Sequence, residues 1–166
     1  MARDDDGDVL AVDPRSGHVS TIKVGETLGS IAIGTRDVWV LDQSASAVWR
    51  VDPRTDRVLP AIPFTGSADA IAIGDGFVWV LDSQVGTVTP IDEASGDVRP
   101  SISVGTGASG VAVGDDAVWV ARGGDVLEIN PASFTVTRTI HVGERPIATL
   151  AVDEAGDLWL DMARAG

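Results

Sequence analysis

The sequence predicts an all-β protein, a β-propeller with four four-stranded blades per chain, and three observations carry that prediction. Val38-Trp39-Val40 returns as Val78-Trp79-Val80, as Val118-Trp119-Val120 and, altered, as Leu158-Trp159-Leu160, 40 residues apart each time. A turn opened by Asp or Asn recurs at nearly the same period: Asp13-Pro14-Arg15-Ser16-Gly17, Asp52-Pro53-Arg54-Thr55-Asp56, Asp92-Glu93-Ala94-Ser95-Gly96 and Asn130-Pro131-Ala132-Ser133. No window places apolar residues at helical spacing over three turns. Self-similarity of this kind marks one supersecondary unit stacked on the next.

Taken in order, residues 1–8 are polar and acidic and are expected to form a flexible N-terminus, with residues 9–166 as the propeller domain. Val9 to Asp13 forms a strand, the Asp13 turn follows, and His18 to Val24 forms the next. Each full copy then begins with a short strand, Ile31-Ala32-Ile33-Gly34, Ile71-Ala72-Ile73-Gly74, Val111-Ala112-Val113-Gly114 or Leu150-Ala151-Val152-Asp153. Short polar turns, such as Asp75-Gly76-Phe77, join it to the Trp-bearing strand. A loop leads to a third strand, Val48 to Asp52, Val88 to Asp92 or Val126 to Asn130, and the Asp or Asn turn leads to a fourth. Four antiparallel strands in about 40 residues match one propeller blade.

Burying an indole removes roughly 150–250 Å² from water, worth on the order of 4–6 kcal/mol gross at about 25 cal/mol/Å². Trp39, Trp79, Trp119 and Trp159 are therefore assigned to the structural core, and Trp49, present in one copy only, is the sole indole for which exposure stays open. The recurring Ala32, Ala72, Ala112 and Ala151 fit a crowded first strand.

The chain opens with the third and fourth strands of a blade and closes with the first and second of another, so the two ends together supply one blade. Pairing them would remove exposed edges. Three arrangements satisfy this: closure within one chain, a homodimer closing an eight-bladed ring, or a portion of a larger propeller.

With 12 basic and 25 acidic residues the net charge is −13, which argues against nucleic acid and anionic membrane surfaces as partners. The absence of cysteine excludes disulfides and thiolate metal sites. No segment approaches 18 consecutive apolar residues, so no membrane insertion is expected, and the first residues do not read as a signal peptide.

The units Asp13-Pro14-Arg15-Ser16-Gly17-His18-Val19, Thr21-Ile22-Lys23-Val24-Gly25, Ile31-Ala32-Ile33-Gly34 and Val38-Trp39-Val40 together resemble the YVTN and virginiamycin B lyase-like propeller repeats. The resemblance implies the fold over nearly everything after Val9, and an extracytoplasmic setting. It also implies, for the lyases, a metal and a catalytic histidine on the axial face. Here the only histidines, His18 and His141, fall on or beside the outermost strand, so no lyase residue is carried over and no catalytic or metal residue or cofactor is assigned.

Propeller ligands meet the loops after the second strand and before the first. Asp42, Asp82 and Arg122 share one register, three residues after Trp, and are expected to contribute to one ring; Asp161 and Arg145 belong to the corresponding loops of the last copy. Such a set suits a cation or a polar ligand carrying both charge types; alternatively these side chains satisfy backbone groups in their own turns. Gly105-Thr106-Gly107-Ala108-Ser109-Gly110 matches a dinucleotide fingerprint by letter but precedes a strand rather than the helix that would hold a pyrophosphate. Asp4-Asp5-Asp6-Gly7-Asp8 lacks the spacing of a calcium loop. The reading that follows is a non-catalytic scaffold binding a ligand or protein partner through axial-face loops, with a metal-assisted lyase or lactonase as the alternative.

Overall fold

A computed structural model describes residues 7–163. All regular structure in them is β, in seventeen strands, and the chain divides into two compact units, Met1–Thr65 and Gly66–Gly166.

In the first unit, β1 (Asp8–Val12) and β2 (Val19–Lys23) form a two-stranded antiparallel sheet. A second sheet runs β3 (Leu28–Ile33), β4 (Val38–Asp42), β5 (Ala47–Asp52), with β6 (Arg57–Val58) and β7 (Ile62–Pro63) both pairing with β5. Ile22, Val24, Val40 and Val51 form the core, with Val9, Val38 and Trp49 packed against it.

In the second unit, β8 (Ala70–Gly74), β9 (Phe77–Asp82), β10 (Thr87–Asp92) and β11 (Ile102–Ser103) form one four-stranded meander. A second is built from β12 (Ala108–Val113), β13 (Val118–Arg122), β14 (Asp125–Asn130) and β15 (Thr135–His141). β16 (Ile147–Val152) and β17 (Leu158–Met162) make a two-stranded sheet. Trp79 and Leu81 of β9 pack against Val118, Val120, Leu127 and Ile129, while Ala121 and Val126 pack against Leu150, with Trp119, Leu158 and Leu160 at the margin.

Proline explains why the fourth strands differ. Lacking an N–H, Pro60 and Pro100 interrupt the ladder: the outer strand is split into β6 and β7 in the first case, and reduced to an isolated Ile91–Val98 bridge and two-residue β11 in the second. β15, free of proline, runs for seven residues.

The recurrent turn is held the same way four times. Its first side chain accepts from the backbone N–H two residues on: Arg15 on Asp13 at 2.9 Å, Arg54 on Asp52 at 2.8 Å, Ala94 on Asp92 at 3.0 Å and Ala132 on Asn130 at 3.0 Å. The fifth residue takes a left-handed conformation each time, at Gly17, Asp56, Gly96 and Phe134. The recurrent Ala stands directly opposite Trp in the ladder: Ala32 pairs with Trp39, Ala72 with Trp79, Ala112 with Trp119 and Ala151 with Trp159. A small neighbour leaves the indole room to lie over the strand.

Among the described residues β1 pairs with β2 and β17 with β16. One expectation is corrected. Trp159, assigned to the core, is 65% exposed, whereas Trp79 is covered by Val118, Val120, Leu127 and Ile129 of the sheet that follows its own. Trp49, the indole whose exposure the sequence left open, is half-buried. Of the expected flexible N-terminus, residues 1–6 lie outside the described residues. Gly7, by contrast, is buried and Asp8 opens β1.

Candidate functional site

Asp42 ends β4 at 2% exposure and is enclosed by donors. One carboxylate oxygen, Oδ1, accepts from the Ser44 N–H at 3.0 Å, the Ser44 hydroxyl at 2.7 Å and the Ala45 N–H at 3.1 Å. The other, Oδ2, accepts from the Glu26 N–H at 3.2 Å and the Trp49 indole N–H at 3.4 Å. Burial alone would raise this carboxyl, but the hydrogen bonds, led by that of Ser44, outweigh it and hold Asp42 below the ordinary carboxylate range.

Asp82 occupies the same place in the second unit, 5% exposed at the end of β9. Its Oδ1 accepts from the Gln84 and Val85 N–H groups at 3.0 and 2.9 Å, and its Oδ2 from the Ser67 N–H at 2.8 Å. Arg122, at the end of β13, makes the corresponding link with reversed polarity. Its Nη1 donates to the Val104 carbonyl at 2.8 Å, and its Nη2 lies 3.5 Å from Asp125 Oδ2. All three side chains thus tie the loop before the first strand of their sheet to the loop after the second.

A glycine lies at each junction. A Cβ on Gly25 would overlap Asp42 Oδ2, one on Gly66 would overlap Asp82 Oδ2, and one on Gly105 would stand 2.9 Å from Arg122 Nη1. Sequence reasoning missed these partners, although a Gly follows the fourth strand in each copy. In the last copy the link is inverted: Arg145, from the loop before β16, donates to the carbonyls of Met162 and Ala163 at 3.4 and 2.5 Å. Asp161 is exposed on β17.

The five predicted residues therefore divide. Asp42 and Asp82 are buried and occupied by backbone donors, Arg122 and Arg145 are bound to carbonyls, and Asp161 is exposed. Beside Arg122, Asp125 also receives His141 Nδ1 at 2.9 Å. That hydrogen bond leads the effects that raise the His141 imidazole and lower the Asp125 carboxyl from their ordinary values. His141 lies on β15, the outer strand of its sheet. Among the described residues no three His, Cys, Asp or Glu side chains are grouped so as to hold a metal ion.

At the opposite end of the second unit's strands, the turns at Gly74-Asp75, Gly114-Asp115 and Asp153-Glu154 rim an open cavity of about 380 Å³. Burial, then the charges of Asp116 and Asp115, push the Asp75 carboxyl above its ordinary range. Asp153 is already engaged by the Ala155 and Asp157 N–H groups and the Trp159 indole. Acidic turns recurring at nearly the period of the Trp motif, at Asp75, Asp115 and Asp153-Glu154, are the sequence signal that could have found this rim.

No family model and no curated protein matches the chain. Solved structures do. A virginiamycin B lyase from Staphylococcus aureus superposes with a TM-score of 0.78 at 17% identity, over 93% of this chain and 56% of that one. A streptogramin B lyase gives 0.79 at 11% identity over 95% and 56%, and BamB from Moraxella catarrhalis 0.78 at 15% over 95% and 49%. The chain has the β-propeller fold of these proteins and spans about half their length.

Proposed function

We propose that the chain is a non-catalytic β-propeller scaffold that binds a ligand or protein partner through the loops after the second strand and before the first strand of its sheets. The observation that supports this reading is the employment of Asp42, Asp82, Arg122 and Arg145 as ties between those loops. Fixed loops lose little conformational entropy on binding, and their outward residues, including Gln43, Ser44, Gln84 and Val85, are the exposed contact surface. The site residues named from the sequence act here by setting loop shape, with Asp161 presenting a charge directly. An extracytoplasmic setting accords with the repeat resemblance.

The rival reading, a metal-assisted lyase or lactonase, draws on likeness of fold to the two lyases, and fold alone does not carry chemistry. Metal analysis of the purified chain before and after prolonged chelation, with turnover assays on lactone substrates under metal supplementation, separates the two. The scaffold reading expects no stoichiometric metal and no turnover. Metal-dependent lactone opening abolished by chelation would replace it.

A further inference from the structure

We propose that His141 is a pH-sensitive clamp on two of the loops assigned to binding: when charged it ties the loop between β13 and β14 to the loop between β15 and β16, and when neutral it releases the second. The argument starts from one register position. Opposite Asp8, Ala47, Thr87 and Asp125, each the first residue of its strand, stand Lys23, Pro63, Ser103 and His141. Of these four, only His141 changes charge between about pH 5 and about pH 8. β1 and β2 set a carboxylate opposite a lasting cation, whereas β14 and β15 set one opposite a cation that titrates.

The two loops already touch through their backbones. The Gly124 carbonyl accepts from the Val142 and Gly143 N–H groups at 2.9 and 3.3 Å, and the Gly123 carbonyl from the Ile147 N–H at 2.7 Å. The approach is so close that a Cβ on Gly124 would overlap the Gly143 carbonyl. His141 stands beside this contact and faces a carboxylate on each loop. Its Nδ1 lies 2.9 Å from Asp125 Oδ1, and its Nε2 lies 3.8 Å from Glu144 Oε1. Beyond Asp125, the remaining charged group of the cluster is Arg122 of β13, whose Nη2 is 3.5 Å from Asp125 Oδ2.

The two nitrogens make the ring a switch. An imidazolium carries an N–H on both and is drawn to both carboxylates, whereas the neutral ring carries only one N–H. The close Asp125 carboxylate keeps that proton on Nδ1. Loss of the other proton therefore turns the Nε2 lone pair toward Glu144, and attraction becomes repulsion. The tie to Asp125 survives, and the tie to Glu144 is lost. The hydrogen bond to Asp125, then the charges of Asp125 and Glu144, outweigh burial and raise the imidazole from its ordinary value. The clamp is thus complete below about pH 6.5, the unfolded value, and opens as pH rises through the raised one. His141 and Glu144 are both exposed, so the effect has the size of a surface ion pair. That the clamp regulates binding rests on the scaffold reading above; the coupling of the two loops does not.

Amide hydrogen exchange on the full chain tests the coupling without any ligand. Protection factors at Val142, Gly143 and Ile147 are expected to fall by about two- to fivefold between about pH 5 and about pH 8. In His141→Lys, charged throughout that range, they are expected to stay level. Should that variant fail to fold, Glu144→Gln, which changes a side chain 99% exposed, replaces it: it is expected to lessen the fall and to lower the His141 midpoint in NMR titration. The same pH profile in parent and His141→Lys, or a midpoint unmoved in Glu144→Gln, would overturn the clamp and leave the scaffold reading standing. Metal-dependent lactone turnover would remove the scaffold reading and leave the exchange result intact.

Discussion

The side chain of Asp42 occupies the space that a Cβ on Gly25 would need. The backbone of the loop before β3 can approach the end of β4 only because residue 25 has no side chain, and the Glu26 N–H is thereby brought within 3.2 Å of the carboxylate. Gly66 and Asp82 repeat the arrangement. Gly25→Ala is expected to cost about 1–3 kcal/mol through overpacking, whereas Gly143→Ala, where a Cβ meets nothing within 4 Å, should stay within about 0.5 kcal/mol. Urea melts of the two variants check the contrast, and equal losses would remove the role assigned to the close approach.

Asp42 also predicts a pH dependence. Its folded carboxyl is held below the ordinary value, burial being outweighed by the bonds from Ser44, Ala45, Glu26 and Trp49. Stability from this group is therefore fully present above about pH 3.9, the unfolded value, and is lost as pH falls through the depressed folded value. Melts of the parent and Asp42→Asn between neutral and strongly acidic pH should converge at the acid end. A constant gap between the curves would place the effect elsewhere.

For His141 the sign reverses. Its hydrogen bond to Asp125 raises the folded imidazole above about 6.5, the unfolded value. The contribution is complete below that value and disappears as pH rises through the raised one. NMR titration should show the His141 midpoint dropping in Asp125→Asn, and an unmoved midpoint would mean that the 2.9 Å contact does not persist in solution.

Tryptophans with one sequence signature should differ in what they contribute. Trp79 has no exposed surface and touches Phe77 and Phe134, with ring centroids 5.8 and 6.0 Å away. Trp79→Ala is expected to cost roughly 3–5 kcal/mol. Trp159→Ala, at 65% exposure, should cost under about 1 kcal/mol. Denaturant midpoints decide; a Trp159 loss as large as that of Trp79 would mean that the indole is covered in solution.

Strand order and the Asp and Asn turns were legible in the sequence because they are local: they follow from alternation and from side chains that bond their own backbone. The recurrence of Ala was legible too, but its place directly opposite each Trp came from the register. The placement of Asp42, Asp82 and Arg122 at one register was legible for the same reason. That Asp42 and Asp82 satisfy backbone groups in their own turns was the alternative the sequence offered; their second task was not legible, because it depends on a loop some fifteen to eighteen residues upstream, brought close by tertiary packing over a glycine. The exposure of Trp159 was likewise undecided by its own motif, since burial is a property of the strands on either side. Repetition in the chain determines what each blade is made of; only the three-dimensional structure decides which copies find a neighbour, since apolar surface leaves water only where a partner surface is there to meet it.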